Sequence, residues 1–142
     1  MFSDHSNGTG TDSLLVAYDP QNLWVHCTWT GEYTYEGIIA GLEACLALLV
    51  EHHCAHMLSD IRHLIGLWDT LVDWFVVDWC PRARAQGVTC IAIVVSPESL
   101  VAQSARAAQQ SMGPDTRPEV RLFLSNIEAE AWLRQRQEEA LL

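Results

Sequence analysis

Short apolar runs along the chain alternate with longer segments in which apolar positions recur every three or four residues. Five runs have the length and the aromatic or β-branched content of strands; they cover Leu14–Tyr18, Leu23–Gly31, His56–Asp60, Thr89–Val95 and Val120–Leu124. The intervening sequence DPQN places Asp and Pro as a type I turn requires, so the first two strands are predicted to form a hairpin. The run from Thr89 is apolar throughout, which is typical of a central strand covered on both faces.

The two longest periodic segments predict the first two helices. Thr34 is a good N-cap residue for the first, which has an apolar face and fades near His52 and His53. The second carries the clearest stripe in the sequence: Trp68, Leu71, Val72, Phe75, Val76 and Trp79. Pro81 is expected to kink or restart this helix, and Gly87 to end it.

Two further helices follow from start signals. Ser96 and Pro97 suit the N-cap and the first helical position of an alanine-rich helix that ends near Met112. Ser125 and Glu128 form a capping-box pair ahead of the last helix. Ile61–Leu67, between the third strand and the second helix, is expected to be a long loop.

The predicted order β-β-α-β-α-β-α-β-α indicates an α/β fold. It predicts a single domain over residues 14–142, with a mixed, mostly parallel sheet of about five strands and four helices. A chain of 142 residues is long enough to bury a core without disulfides or metal. Residues 1–13 are polar and lack the apolar segment of a signal peptide, so they are expected to form a disordered leader.

The net charge limits the classes of partner, and the cysteine usage indicates the cellular location. With 18 acidic and 8 basic residues the net charge is −10, which disfavours nucleic acid and anionic membranes. No apolar run reaches the ~20 residues of a membrane span. All eight basic residues are arginines, which excludes lysine-dependent chemistry. Five widely spaced cysteines without a CxxC motif indicate reduced core thiols and a cytoplasmic location.

Several segments together resemble the STAS-like superfamily, the anti-sigma-factor-antagonist fold shared with CRAL-TRIO lipid-binding domains. They are LWVHCTWTG, HMLSD, WDTLVDWFVVDWCPRARAQG, IAIVVSP and SNIEAEAWL, and the chain looks most like small stand-alone bacterial members. The resemblance implies a domain without catalytic machinery that binds a protein partner or a small ligand. In the sigma-regulating members a serine just after an Asp-ended strand is phosphorylated; here Asp60 is followed by Ile61 and Arg62, so that switch is not expected.

The segment EHHCAHMLSD, Glu51–Asp60, has two interpretations. His52 and His56 would share a face if the first helix continued, and they are the only weak metal candidates. The alternative is favoured: the helix ends here, His53 takes the C-terminal position that glycine often holds, and a strand begins at His56. No cofactor is predicted. Cys80, near Arg82 and Arg84, is a weak nucleophile candidate because it lies late in a helix.

Two groups of residues are candidates for a ligand or partner site. Asp60, Arg62, His63 and Trp68 follow a strand C-terminus, where ligands collect in open α/β sheets. Trp74 and Val77 lie outside the stripe of the second helix and broaden its apolar arc, which favours either deep burial or an interface.

The function predicted from these features is non-enzymatic. The leading hypothesis is regulation by association, with a protein partner or as a homodimer through the second helix. The alternative is a carrier or sensor of a small, lipid-like apolar ligand held between the sheet and the second helix.

Overall fold

The computed structural model describes the backbone of residues 2–6 and the full residues 13–142. Six strands lie in these ranges: β1 (Phe2–Ser6), β2 (Ser13–Asp19), β3 (Trp24–Glu32), β4 (His56–Ile65), β5 (Cys90–Val94) and β6 (Glu119–Phe123). The helical segments are α1 (Tyr35–Glu51), α2 (Asp69–Trp74), a π-helical turn (Phe75–Trp79), α3 (Cys80–Ala85), α4 (Leu100–Met112) and α5 (Asn126–Ala140).

The strands form one sheet in the order of the sequence. The pairs β1–β2 and β2–β3 are antiparallel, whereas β3–β4, β4–β5 and β5–β6 are parallel. The chain returns to the same end of the sheet through a helical crossover before each parallel strand, as parallel pairing requires. The predicted single-domain α/β architecture, with an antiparallel hairpin beside a parallel sheet, is confirmed, and β1 is added to the five predicted strands.

Strand β1 lies in the segment expected to be a disordered leader. Its residues pair with β2 from Phe2 opposite Ala17 to Ser6 opposite Ser13. Pairing needs only main-chain donors and acceptors at the free edge of β2, and a polar sequence with no apolar alternation gives little signal of it. Residue 1 and residues 7–12 lie outside the described residues.

Strand β4 is longer than predicted. The expected loop from Ile61 is wrong up to Ile65, because β3 continues to Glu32 and pairs with β4 beyond a register shift between Thr28 and Thr30. Asp60 is therefore not at the end of its strand. It is the last β4 residue paired with β5, opposite Val94.

Local capping explains most helix ends. The Thr34 hydroxyl accepts a hydrogen bond from the Gly37 N–H at 3.0 Å, and the Ser125 hydroxyl accepts one from the Glu128 N–H at 3.2 Å. After α1, His53 adopts a positive φ of 48°, which confirms the predicted helix end. Ser96 is not the cap of α4: it lies in a turn, and Ser99 caps the helix through a bond from the Ala102 N–H at 3.3 Å.

Helix 69–85, formed by α2, the π-helical turn and α3, is continuous through Pro81. The Cys80 N–H bonds the carbonyl of Phe75, five residues back. Proline has no N–H and its ring crowds the carbonyl four residues before it, so a widened turn upstream of Pro81 relieves the clash. In place of the predicted kink or restart at Pro81, the helix widens before the proline, and α-helical geometry resumes at Cys80 as α3.

The sheet separates two apolar layers. The larger one packs α1, helix 69–85 and α4 against one face, and the smaller one packs α5 against Trp24, Leu58 and Val94 on the other face. Among the described residues no helix has the length and apolarity to cross a bilayer.

Candidate functional site

An apolar cavity of about 100 Å³ lies within the larger layer, between the sheet, α1, helix 69–85 and α4. The wall contains two polar hydroxyls, those of Ser59 and Ser104. Its other residues are Trp29, Ile38, Leu42, Met57, Ile61, Leu64, Trp68, Leu71, Val72, Phe75, Ile91, Ile93, Val101, Ala105 and Ala108. A space lined in this way suits an apolar group and offers water few partners.

Small side chains on α4 create the space. Ala108 lies four positions after Ser104 and three after Ala105, so these three residues share the helix face that looks toward helix 69–85. Across the cavity the facing side chains are large, among them Trp68 and Phe75. Large residues on one wall and methyl or hydroxymethyl groups on the other leave a gap that neither helix fills.

Trp29 of β3 closes the cavity on the α1 side. Its indole N–H donates to the Ser59 hydroxyl at 3.1 Å, which fixes the ring and satisfies both buried groups. Helix α1 approaches the ring at Gly41, where a Cβ would lie only 2.6 Å from the Trp29 ring. Any larger residue at Gly41 would push α1 away from the sheet.

Trp68 forms the wall at the start of helix 69–85. Its main-chain N–H donates to the Ser104 hydroxyl at 2.7 Å, and that hydroxyl donates to Asp69 Oδ1 at 3.2 Å. The ring packs on Gly66, which has a φ of 120° and no room for a Cβ without tight contact with the indole. The half-buried Trp68 has an indole N–H that is enclosed and finds no partner in the described part of the chain.

Asp60, Arg62 and His63, predicted beside Trp68, do not join the cavity wall. Because side chains alternate along a strand, Ser59 and Ile61 face the cavity while Asp60 and Arg62 face the other side of the sheet. The carboxylate of the buried Asp60 accepts hydrogen bonds from Arg62 Nε at 3.0 Å and from Nη2 at 2.7 Å. Burial raises the pKa of Asp60, but the bonds from Arg62 outweigh it and hold the pKa below its ordinary value. His63 is exposed.

Val77 lies on the outer side of helix 69–85, whereas Trp74 packs in part against the larger apolar layer. Val77 is 75% exposed, and Leu67 just before the helix is also exposed. Trp74 is half-buried, and the Arg82 guanidinium lies 5.9 Å from its ring centroid. The same arginine is tied to Glu43 and Asp78. The helix thus presents one apolar side to the cavity and a second, partly apolar side to solvent.

The residues weighed for metal or nucleophilic chemistry are separated. The His52 ring stacks on Tyr18 with centroids 4.0 Å apart, whereas His56 is buried at the start of β4. No group of three potential ligands converges within the described ranges. Burial raises the pKa of the Cys80 thiol to about 12, with Arg84 opposing the shift, so this buried thiol is a poor nucleophile at neutral pH.

Most of the cavity wall was not singled out from the sequence, which predicted only Trp68 among its residues as a site residue. The signals were present in two places: the alternation of Met57, Ser59 and Ile61 along β4, and the small residues of α4. Neither shows by itself that the opposing surfaces leave a gap, because that depends on how far α4 and helix 69–85 lie apart.

The chain forms a single-domain α/β fold with an apolar cavity beneath a crossover helix. A family model described as SpoIIAA-like matches residues 24–134, and the chain belongs to this family. A solved structure from Shewanella loihica PV-4, described as an uncharacterized DUF3478-family protein with a SpoIIAA-like fold, is similar with a TM-score of 0.53. It shares 17% sequence identity, with 94% of this chain and 92% of that chain covered. No curated protein matches.

These comparisons confirm the STAS-like resemblance and the fold. The family is of a regulatory type and is generally non-enzymatic. At 17% identity the solved structure shows the fold alone.

Proposed function

We propose that this protein is a non-enzymatic binding domain that carries or senses a small apolar ligand in the cavity beneath helix 69–85. The observation that supports the proposal is the cavity itself, a space of about 100 Å³ that is partly open to solvent and lined almost wholly by apolar side chains. A void lined almost wholly by carbon lowers the stability of the empty protein, and an apolar guest restores the missing contacts.

The volume of the cavity limits the size of the ligand that it can hold. An apolar cavity of about 150 Å³ is known to take up benzene or xenon, so roughly 100 Å³ suits a group no larger than a small ring or a short branched chain. The hydroxyl of Ser59 already accepts the Trp29 N–H, and that of Ser104 holds Trp68 and Asp69. Among the side-chain polar groups of the wall, the Trp68 indole N–H alone has no partner in the described part of the chain, so an apolar guest meets little demand for polar contacts.

Ligand binding is tested by titrating the protein with xenon and with benzene while its methyl chemical shifts are recorded. Ile61, Leu71 and Ile93 line the cavity, whereas Leu133 is buried in the layer under α5 and serves as the internal reference. Saturable shifts at the three lining residues, with Leu133 unmoved, are expected. Shifts of equal size in both layers, or none in the cavity at saturating benzene, contradict the proposal.

A pair of variants locates the guest. Ala105→Leu places a larger side chain into the cavity and is expected to abolish the shifts, while Ala107→Leu makes the same change at a half-buried position on α4 outside the wall and leaves them. Retained binding in Ala105→Leu would place the probe elsewhere. Native mass spectrometry of the protein as purified then asks whether a lipid or fatty acid fragment already occupies it.

A second candidate is association through the outer side of helix 69–85. The observation that favours it is the exposure of Val77, three residues after the half-buried Trp74 on the same helix. Aromatic and aliphatic side chains grouped in this way are typical of interface centres. The occupant we infer is a second copy of the chain, which gives a homodimer.

Sizing chromatography coupled to light scattering tests the homodimer across a concentration series. A dimer of the wild type that is lost in Val77→Asp, with Ile127→Asp as an equally exposed control on α5, supports it. Val77 is chosen because its side chain is 75% exposed, so the change has little effect on folding. A monomer at every concentration refutes the homodimer and leaves the cavity proposal intact.

A further inference from the structure

The free edge of β6 borders a groove of about 510 Å³ that neither the cavity nor helix 69–85 uses. The groove is formed by α4, the loop that follows it and the strand itself. Its lining residues are Arg106, Gln109, Gln110, Gly113, Pro114, Glu119, Val120 and Arg121. In the described sheet β6 is an outer strand, paired on one side only.

The register shows which main-chain groups face the groove. The Glu119 N–H donates to the carbonyl of Thr89 at 2.8 Å, and the carbonyl of Phe123 accepts the Val95 N–H at 2.9 Å. The main-chain groups of Glu119 and Phe123 therefore point toward β5 and away from the groove. Main-chain groups alternate along a strand, which places those of Val120 and Leu122 on the outer edge. An extended segment could pair with these two residues as a seventh strand.

The charge at this edge opposes that of the whole chain. Within residues 13–142, Arg62, Arg82, Arg134 and Arg136 form ion pairs with carboxylates. Arg106 and Arg121 form none, and both line the groove and are exposed. The one carboxylate in the lining, that of Glu119, is held by Arg136 at 3.1 and 3.3 Å. In a protein of net charge −10, this edge is left with two unneutralised cations.

The two arginines lie on opposite faces of the strand. The Arg121 guanidinium lies 5.8 Å from the ring centroid of Trp132, on the α5 side, whereas Arg106 extends from α4 on the other side. Neighbouring residues of an added strand also point to opposite faces. Two consecutive acidic residues would therefore meet one arginine each.

We propose that the β6 edge binds an extended acidic segment of a partner protein by strand addition, with Arg106 and Arg121 receiving adjacent carboxylates. Charge complementarity selects this occupant over a second copy of the chain, because two β6 edges would bring arginines together. The proposal is independent of the cavity.

The probe is a fluorescein-labelled, end-capped hexapeptide with two central glutamates flanked by valines and threonines, titrated by fluorescence anisotropy. Saturable binding is expected, roughly five-fold weaker in Arg106→Gln and in Arg121→Gln, the effect of losing one exposed ion pair. Arg84→Gln is the matched control, because Arg84 also lacks an ion pair within the described residues but lies on α3. Equal weakening in Arg84→Gln overturns the proposal.

Strand addition is tested in the peptide, so that folding of the protein is not at risk. Replacing both valines with proline removes main-chain donors and is expected to abolish binding, and a glutamine version of the acidic peptide should bind weakly. In amide spectra the acidic peptide should shift Val120 and Leu122. Undiminished binding of the proline peptide shows an ionic contact only, and tighter binding of oligothymidylate assigns the edge to nucleic acid; either result overturns the proposal.

Discussion

Ala105→Leu tests the cavity through the free energy of unfolding of the protein without any ligand. Ala105 is buried in the cavity wall, opposite helix 69–85. A replacement that fills existing empty space adds contacts without moving the backbone, whereas one forced into a filled core causes strain. The sign of the stability change therefore reports whether the space is empty.

Two routes give the expected magnitude. At ~24 cal/mol per Å³ a fully enclosed cavity of about 100 Å³ costs roughly 2.4 kcal/mol, which is the upper limit for a space partly open to solvent. The extra carbons of leucine contribute about 0.8 kcal/mol each when buried, again roughly 2.4 kcal/mol for the three. Imperfect fit lowers this, so we expect unfolding to become about 1–2 kcal/mol less favourable, which for a domain of this size raises Tm by several degrees.

The assay is urea denaturation at pH 7.5 of the wild type, Ala105→Leu and Ala107→Leu, followed by tryptophan fluorescence. Ala107→Leu controls for the effect of leucine on helix α4 itself, and its midpoint should stay near that of the wild type. A loss of 1 kcal/mol or more in Ala105→Leu, with an unchanged control, would show that the space is closed in solution. The carrier and sensor functions would then lose their physical basis.

Two further predictions concern buried polar groups. Ser104→Ala leaves the main-chain N–H of Trp68 without its acceptor and should lower the free energy of unfolding, measured by urea denaturation, by about 1–3 kcal/mol. Ser111→Ala, at an exposed position on the same helix, should change it little. Equal losses in the two variants would refute the role of Ser104. Burial lowers the pKa of His56 below its ordinary 6.5, so the folded state favours the neutral imidazole. The contribution of neutral His56 to the free energy of unfolding is complete above about pH 6.5, and it is lost as the pH falls through the pKa of His56 in the folded state. His56→Gln should therefore flatten the fall in urea midpoint between pH 7.5 and 5.5, whereas His63→Gln, at an exposed position, should not; a slope unchanged by His56→Gln contradicts the assignment.

Most of the fold could be predicted from the sequence because local signals and long-range strand pairing agree over most of the chain. The Thr34 cap, the helix end at His53 and the stop at Gly87 each appear where predicted, since each depends on neighbours within a few residues. The elements that differ from the prediction depend on strand pairing between segments distant in sequence. Strand β4 continues to Ile65 because β3 offers partners, and Phe2–Ser6 pair with the edge of β2.

The site was predicted less well, for a physical reason. Closeness in sequence suggests one group of Asp60, Arg62 and Trp68, but β4 continues past Asp60, and the alternation of its side chains places Asp60 and Arg62 on the opposite face of the sheet. A cavity is a property of two facing surfaces, so the small residues of α4 predict it only when their distance from Phe75 and Trp68 is known. The position of the space, between the sheet and the second helix, is the one that the alternative hypothesis named.

Helix 69–85 is the wall of the cavity best able to yield to a guest larger than about 100 Å³. It contains a π-helical turn, and its first turn is held to α4 by the Ser104 hydroxyl rather than by a side-chain cap of its own. The strands and α1 cannot retreat as easily, because the sheet is continuous and Gly41 lies against Trp29. Outward movement of this helix would carry Val77 with it, since Val77 lies on its outer side. Ligand uptake and association would then act through one element. If sizing chromatography shows the proposed homodimer, a guest that enlarges the cavity should change its dissociation constant, whereas xenon, which fits without displacement, should not.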